Sequence, residues 1–337
     1  MSSALIPAQP ERILKELARV WTSLAEEERQ QGKPSVVRAC AMTLIVATDD
    51  DDQEALSVAQ TLTELMHVHP SRAVVLRLSQ GAESGLSSRV FAQCWKPFGK
   101  AQQICCEQIE IEANKDRWAD VGPTVLGIIV PDLPVVVWCR QKGALQAGGS
   151  ERQRNGLEAV LSLATKIVVD TQAAPLGEAL DVIRDWKSQD RVVADLEWTR
   201  LTPWREAIAH AFDEPLVLGQ RSSMQSAEIT YGGSSISAGG YYMAAWLQTG
   251  LKANIRFRQR PELSAGVHGV LIKSNQVDVN LSASGDRCMR LRIGEHEQQV
   301  GLAGHSGYEL MREELTVLGP DRVFDSIFNS ARELQRQ

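Results

Sequence analysis

The sequence predicts an α/β protein in two parts, an N-terminal α/β domain with a mixed sheet and a C-terminal α+β domain with an antiparallel meander. Three observations carry this. Apolar, β-branched runs alternate with amphipathic helical stretches through the first half. After about residue 254 the helical periodicity gives way to short runs with period-2 alternation and turn residues between them. And 337 residues, 43% apolar and 23% charged, exceed one average domain and are ordinary for a globular chain. A chain of this size hides roughly 70–75% of its unfolded surface without cross-links. The division is expected between about residues 186 and 225 and is placed at 1–190 and 191–337.

Residues 12–29 form an amphipathic helix with Ile13, Leu14, Leu17, Val20, Trp21 and Leu24 at helical spacing, closed by Gly32 and Pro34. "VVRACAMTLIVAT" is a strand. "DDDDQ", Asp49 to Gln53, then opens a helix bearing Ala55, Val58, Ala59, Leu62, Leu65 and Met66. Four acids can suggest a metal, but carboxylates at a helix start cap its free N–H groups and suit its dipole. Strands follow at "AVVLRL", "VFAQCW" and "ICCEQIEIE", with hairpin pairing expected among them. A short helix is expected to begin near Pro123, "LPVVVW" is a buried strand, "QKGALQAGGSERQRNG" an exposed loop, 156–164 a helix, "KIVVD" a strand and 176–187 a helix.

The second half opens on "DLEWTRLTPWREAIAHAFD", helical after Pro203. "AEITY" is a strand and "GYYMAAWLQTGL" a helix. The alternating runs "NIRFR", "VHGVLIKS", "QVDVNLSAS", "CMRLRIG" and "QQVGLAG" make the meander, and helices over 307–317 and 320–333 end the chain. Neither a repeat nor a low-complexity segment is evident.

A net charge of −6 and a pI near 5.6 argue against a nucleic-acid binder. The start lacks the pattern of a secretory signal, and "TVLGIIVPDLPVVVWC" is too short and too interrupted to span a bilayer. No membrane association and a cytoplasmic location are therefore expected, with the six cysteines as free thiols by default.

Three segments carry candidate chemistry. Cys105 and Cys106 stand side by side in a strand, where neighbours point to opposite faces and cannot jointly grip a metal. Buried packing, redox sensing and nucleophilic attack remain as their readings, and a disulfide among Cys40, Cys94, Cys139 and these two is geometrically open. "YGGSSISAGGYY" lies between a strand and a helix, so Gly232, Gly233, Ser234, Ser235, Gly239 and Gly240 could cradle an anion. It matches neither of the familiar phosphate-loop patterns, and glycine-rich turns also serve close packing. "DLEWTRLTPWR" concentrates Trp198, Arg200, Trp204 and Arg205 beside Asp195 and Glu197. It reads as an acid–base site, as a partner interface or as a packed junction. His67 and His69 lack a third ligand and a base, so neither metal nor cofactor is expected.

Four segments, "HPSRAVVLRL", "QICCEQIEI", "VPDLPVVVWCR" and "DLEWTRLTPWREAIAHAF", together resemble the glucose-6-phosphate dehydrogenase assembly protein family, OpcA. The likeness covers roughly residues 36 to 214 and is weaker through 231–250 and the C-terminal strands. It implies a non-catalytic protein that binds glucose-6-phosphate dehydrogenase and promotes its active oligomer in the oxidative pentose phosphate pathway. The alternative is a sugar-phosphate or nucleotide-binding protein or enzyme using 231–240 as its anion cradle. Some cyanobacterial members are linked to thioredoxin control, which names thioredoxin as a second partner and makes Cys105 and Cys106 redox candidates. Such members can carry an additional N-terminal region. This chain reaches its first helix at once, so the functions of that region are expected to be absent.

Overall fold

The computed structural model describes residues 5–30, 36–79, 85–99, 102–141, 143–146, 151–285, 287–302 and 304–337. Gly32 and Pro34 lie outside them, as do Lys142 and residues 147–150 of the expected loop. The chain divides into two compact units. Unit 1 comprises Met1–Ala174, Val182–Ala194 and Met311–Gly319, and unit 2 comprises Pro175–Asp181, Asp195–Leu310 and Pro320–Gln337.

Unit 1 is built on a large sheet. After the short β1 (Ile6–Pro7), α1 (Pro10–Gln30) and β2 (Val37–Arg38) come β3 (Met42–Asp49), α2 (Asp52–Leu65), β4 (Ser71–Ser79), β5 (Leu86–Trp95), β6 (Ile104–Asn114), α3 (Trp118–Leu126), β7 (Val135–Cys139), α4 (Glu151–Leu161), β8 (Lys166–Val169), α5 (Leu176–Lys187) and β9 (Val193–Asp195). The strand order is β1-β5-β6-β4-β3-β7-β8-β9, with β2 also paired to β6. Strands β6, β4, β3, β7 and β8 run parallel, while β5 returns antiparallel to β6. From β3 the chain first moves outward through α2 to β4. It later returns to the other side of β3 through α3 to β7. Right-handed crossovers then put α2 on one face and α3 and α4 on the other, the doubly wound arrangement. The central strands are buried on both faces: Leu44, Ile45, Val46, Val74, Leu76, Val136, Val137, Ile167 and Val168 are all shielded from solvent.

Unit 2 begins with α6 (Leu196–Thr199), α7 (Thr202–Ala211) and α8 (Pro215–Leu218). Then follow β10 (Ser226–Gly232), α9 (Ala238–Leu251), β11 (Asn254–Arg260), β12 (Gly266–Lys273), β13 (Val279–Ala283), β14 (Cys288–Ile293), β15 (His296–Gly301), α10 (Gly307–Glu314) and α11 (Arg322–Arg336). The sheet order is β11-β10-β12-β13-β14-β15. β12 to β15 form the antiparallel meander, but "NIRFR", expected as its first strand, is β11, which pairs in parallel with β10 because α9 crosses between them. Alternation sends Ala227, Ile229, Val270, Ile272, Leu281, Met289 and Leu291 into the core, which α9 and α11 complete with Tyr242, Met243, Leu247, Phe324 and Phe328.

Several local expectations are corrected. "VVRACAMTLIVAT" is two strands, β2 and β3, rather than one. Strands β4 and β6 are parallel neighbours, so among the described residues the hairpin in that region joins β5 to β6. The helix expected from Pro123 starts at Trp118, with Pro123 inside it, and α4 starts at Glu151 where a loop was expected.

Helices α3 and α4 approach closely through glycine. A Cβ on Gly156 would stand 2.8 Å from the carbonyl oxygen of Trp118, and one on Gly122 would stand 2.5 Å from Ala159 Cβ. Alanine is the better helix former by about 1 kcal/mol. Overpacking against a backbone that cannot yield costs about 1–3 kcal/mol. Gly156→Ala is therefore expected to lower the thermal unfolding midpoint by a few degrees, whereas a rise would show the helices free to separate.

Candidate functional site

In a doubly wound sheet, ligands bind beyond the carboxyl ends of the strands where the order reverses. That reversal falls here between β3 and β7, and a crevice of about 360 Å³ opens there, lined by Asp49, Asp51, Glu54, Trp138, Arg140, Gln141 and Asp170 among others. In dinucleotide-binding folds a glycine-rich turn follows the first strand, so that the backbone and the helix N-terminus meet a pyrophosphate. Here that turn is Asp49-Asp50-Asp51-Asp52. Asp51 caps α2, accepting from the Glu54 N–H at 2.9 Å. Asp50 and Asp52 hold Arg77 at 2.6 and 3.4 Å. Arg140 lies 4.7 Å over the Trp138 ring and pairs with Glu54 through both its Nε and its Nη2. Four carboxylates against one guanidinium among the described lining residues, with no glycine in the turn, do not fit a pyrophosphate. Cys139, also on the crevice wall, is buried, and burial pushes its thiol up to about 12, so it is no nucleophile at neutral pH.

The cysteines of "QICC" separate. Cys105 lies directly opposite Cys94 in the β5–β6 register and forms a disulfide with it, Cα to Cα 4.0 Å. This corrects the expectation that every thiol is free. Cys106 is fully buried, its Sγ is 3.4 Å from the carbonyl oxygen of Ala39, and burial pushes its thiol up to about 11. Among the described residues no group of three or more metal-binding side chains comes together.

The same strand carries a polar cluster that the sequence reading missed. Glu107, 3% exposed, accepts from Trp21 Nε1 at 2.6 Å, Arg72 Nε at 2.7 Å and Arg38 Nη2 at 2.9 Å. Arg72 also donates from Nη1 to the carbonyl of Ile128 at 2.5 Å. The signal was present: Arg72 belongs to "HPSR" and Glu107 to "CCEQ", two of the segments singled out above, and β4 and β6 are neighbours.

Unit 2 holds the other singled-out segment. Asp195 caps α6 by accepting from the Glu197 N–H at 3.1 Å, and it accepts from the Tyr242 hydroxyl at 2.8 Å. Burial, then the nearby Asp195 charge, drive the Tyr242 pKa well upward. Glu197, 3% exposed, accepts from Arg200 Nη1 at 3.0 Å and from the Gly239 N–H at 3.2 Å. Trp198 donates from Nε1 to Asp321 at 2.7 Å, packs on Phe324, and carries the Arg205 guanidinium 3.7 Å over its ring. Trp198 and Trp204 are each 3% exposed, and Arg200 and Arg205 are half-buried. Both tryptophans of the expected Trp/Arg surface are therefore core, and only the two arginines keep part of their side chains in solvent.

The anion cradle is also taken. Glu197 accepts from Gly239 and the Ser237 hydroxyl accepts from the Gly240 N–H at 3.4 Å, so α9 starts against the chain's own groups. Gly232 is needed for close approach, since a Cβ there would fall 2.0 Å from the carbonyl oxygen of Ser264. Gly233 has φ +82°, a conformation that favours glycine. Ser234 and Ser235 are exposed. The glycines therefore serve packing, and a buried carboxylate stands where a phosphate would go.

These features define a two-unit α/β protein on a doubly wound scaffold, with its phosphate-binding turn replaced by acids and its most distinctive polar residues engaged in its own structure. Residues 62–185 match the model of a glucose-6-phosphate dehydrogenase subunit N-terminal domain, and residues 191–328 match that of the corresponding C-terminal domain. The chain belongs to this family, OpcA. The OxPP cycle protein OpcA of Synechocystis sp. is 29% identical over 168 residues, which is 49% of this chain and 33% of that protein. Its counterpart in Synechococcus elongatus is 27% identical over 150 residues, 44% of this chain and 32% of that protein. The chain thus spans about a third of the length of the curated relatives it matches. Among solved structures, glucose-6-phosphate 1-dehydrogenase from Mycobacterium avium aligns over 87% of this chain and 88% of its own, at 12% identity and TM-score 0.46. Myo-inositol dehydrogenase from Lactobacillus casei aligns over 88% and 95%, at 8% identity and TM-score 0.45. Neither likeness speaks to activity.

Removing one partner of a buried ion pair strands the other charge and costs about 3–5 kcal/mol. Glu107→Gln keeps the shape but leaves Arg72 buried without a counter-charge. It is expected to lose stability in that range, read from the urea midpoint at unchanged slope. A loss below about 1 kcal/mol would show that the cluster contributes little.

Proposed function

We propose that this chain binds glucose-6-phosphate dehydrogenase and acts as a non-catalytic assembly factor and allosteric activator of its active oligomer, in the cytoplasm. The observation that carries the reading is the turn after β3. Four consecutive aspartates and a self-capped helix occupy the place where a dehydrogenase of this scaffold would hold its cofactor's phosphates. Membership of a family described as dehydrogenase subunits supplies the partner. No helix among the described residues is long and apolar enough to cross a membrane. Binding alone is enough for activation: an activator needs only to prefer the active state, and a tenfold shift takes about 1.4 kcal/mol of differential affinity. The reading as a sugar-phosphate or nucleotide binder at 231–240 is weakened by Glu197, which already occupies the Gly239 donor.

Thioredoxin enters through the Cys94–Cys105 bond, the disulfide that a dithiol reductant would open. In that account Cys105 is the redox residue and buried Cys106 is a packing residue.

The test is a titration into the glucose-6-phosphate dehydrogenase of the same organism, following NADP reduction together with the mass of the species by light scattering. Saturable activation with a heavier species is expected. Absence of both, under reducing and oxidising conditions alike, would refute the proposal.

A further inference from the structure

The crevice beyond β3 and β7 does not fit a pyrophosphate, and its chemistry points to a ligand of the opposite charge. Its described lining residues carry four carboxylates, Asp49, Asp51, Glu54 and Asp170, against the one guanidinium of Arg140. A cleft lined by one sign of charge focuses the field and concentrates counter-ions. Arg140 shows what these walls accept: its guanidinium lies 4.7 Å over the Trp138 ring and donates from Nη2 to Glu54 at 3.0 Å. Glu54 is thereby neutralised, and the other carboxylates of the wall are Asp49, Asp51 and Asp170. Asp51 and Asp170 each hold a turn through Oδ1, accepting from the N–H of Glu54 at 2.9 Å and of Gln172 at 3.2 Å. Both turns fix a carboxylate on the crevice wall.

Gln141 sets this crevice apart from an ordinary solvated acidic surface. It stands two residues beyond β7, lines the crevice and is 7% exposed. Its side-chain amide makes no hydrogen bond with any described residue. A buried amide without a partner costs free energy, and such groups in native folds are met by a ligand or an ordered water. Cys139 and Leu145, both buried, give the same wall an apolar portion. The volume of about 360 Å³ is that of a small-molecule site. A metal ion fits less well, because among the described residues no group of three or more metal-binding side chains converges. Carboxylates, a buried amide and an apolar wall together complement an ammonium head on an alkyl stem. The head brings three N–H donors and a compact charge, and the stem packs on apolar surface.

We infer that the crevice beyond β3 and β7 binds an alkylammonium group, with Asp51 and Asp170 as its charged acceptors and the Gln141 carbonyl oxygen as its buried one. The same chemistry is carried by a free polyamine and by a lysine side chain of another protein. The inference goes beyond the function proposed above and stands independently of it, because every residue of the site belongs to unit 1 of this chain.

The test is calorimetric titration of the full chain at physiological ionic strength with spermidine, with Nα-acetyl-lysine amide, with butanediol and with magnesium chloride. Saturable heat is expected for at least one of the two amines, with a dissociation constant of about 1 mM or tighter. None is expected for the diol, which has the stem without the charge, or for magnesium. Asp51→Asn keeps the helix cap, since asparagine caps as well as aspartate, and Asp170→Asn keeps the side-chain shape. Each is expected to weaken amine binding at least about fivefold by removing a charged acceptor. Gln141→Met removes the amide at similar volume. It is expected to weaken binding about fivefold while the unfolding midpoint holds or rises, because a buried amide without a partner has gone. Asp213→Asn, at a side chain 84% exposed in unit 2, is the charge control and is expected to change affinity less than about twofold. Binding of both amines supports the site. So does binding of spermidine alone, which makes the ligand a free polyamine, or of the lysine amide alone, which makes it a side chain of another protein. Failure of both amines, saturable heat with the diol or with magnesium, or an equal loss in Asp213→Asn would overturn the site. An unchanged affinity in Gln141→Met would remove Gln141 from it. None of these outcomes bears on dehydrogenase activation, which is read separately.

Discussion

Unit 1 is tied together by one carboxylate. Glu107 sits in the strand that joins the antiparallel hairpin to the parallel sheet, and its oxygens take hydrogen bonds from α1, β2 and β4. Arg72 carries the connection onward to the carbonyl of Ile128, just beyond α3. A buried charge is tolerated only when its partners are in place, so the cluster fixes the relative positions of these elements. Three donors from three elements converge on the Glu107 carboxylate, which is the arrangement of a structural tie. Unit 2 repeats the device with different residues: Asp195 and Glu197 cap two helices and anchor Tyr242 and Arg200, while Asp321 caps α11 and holds Trp198.

Such a distribution of polar groups changes what the scaffold can do. The doubly wound sheet still presents a crevice at its reversal point, but the helix that would face a phosphate is capped by Asp51 and surrounded by further acids. At the start of α9, Glu197 and Ser237 take the N–H groups that an anion would need. The same solution, a chain carboxylate in place of a ligand phosphate, thus occurs in both units.

Much of the fold was legible where one signal dominated. The amphipathic 176–187 reads as a helix and is one over Leu176–Lys187, and the acids before Ala55 read as a helix start and cap α2. The misreadings have identifiable causes. Pro123 favours a first turn, but the preceding 3-10 turn at Lys115–Arg117 leads the chain into helix five residues earlier. The 151–156 stretch is rich in charge, and its Arg, Gln and Glu residues are also good helix formers. The Cys94–Cys105 pair needs the hairpin register, which alternation alone does not set. Trp198 was ambiguous because its burial is decided by Asp321 and Phe324, more than 120 residues away. Glu197 finds Gly239 across 42 residues. Composition within a segment says nothing about such partners. The segments that carry the family likeness did, however, supply both halves of the Arg72–Glu107 pair.

At the start of α2 and beside the start of α9, this chain's own carboxylates take the N–H groups that a ligand phosphate would need. The decisive measurement is calorimetric titration of the isolated chain with NADP and NADPH, and with glucose 6-phosphate. No saturable heat is expected for any of them up to millimolar concentration. Saturable binding at micromolar concentration by any of the three would contradict it, because it would require a phosphate site that the acidic turn and Glu197 exclude.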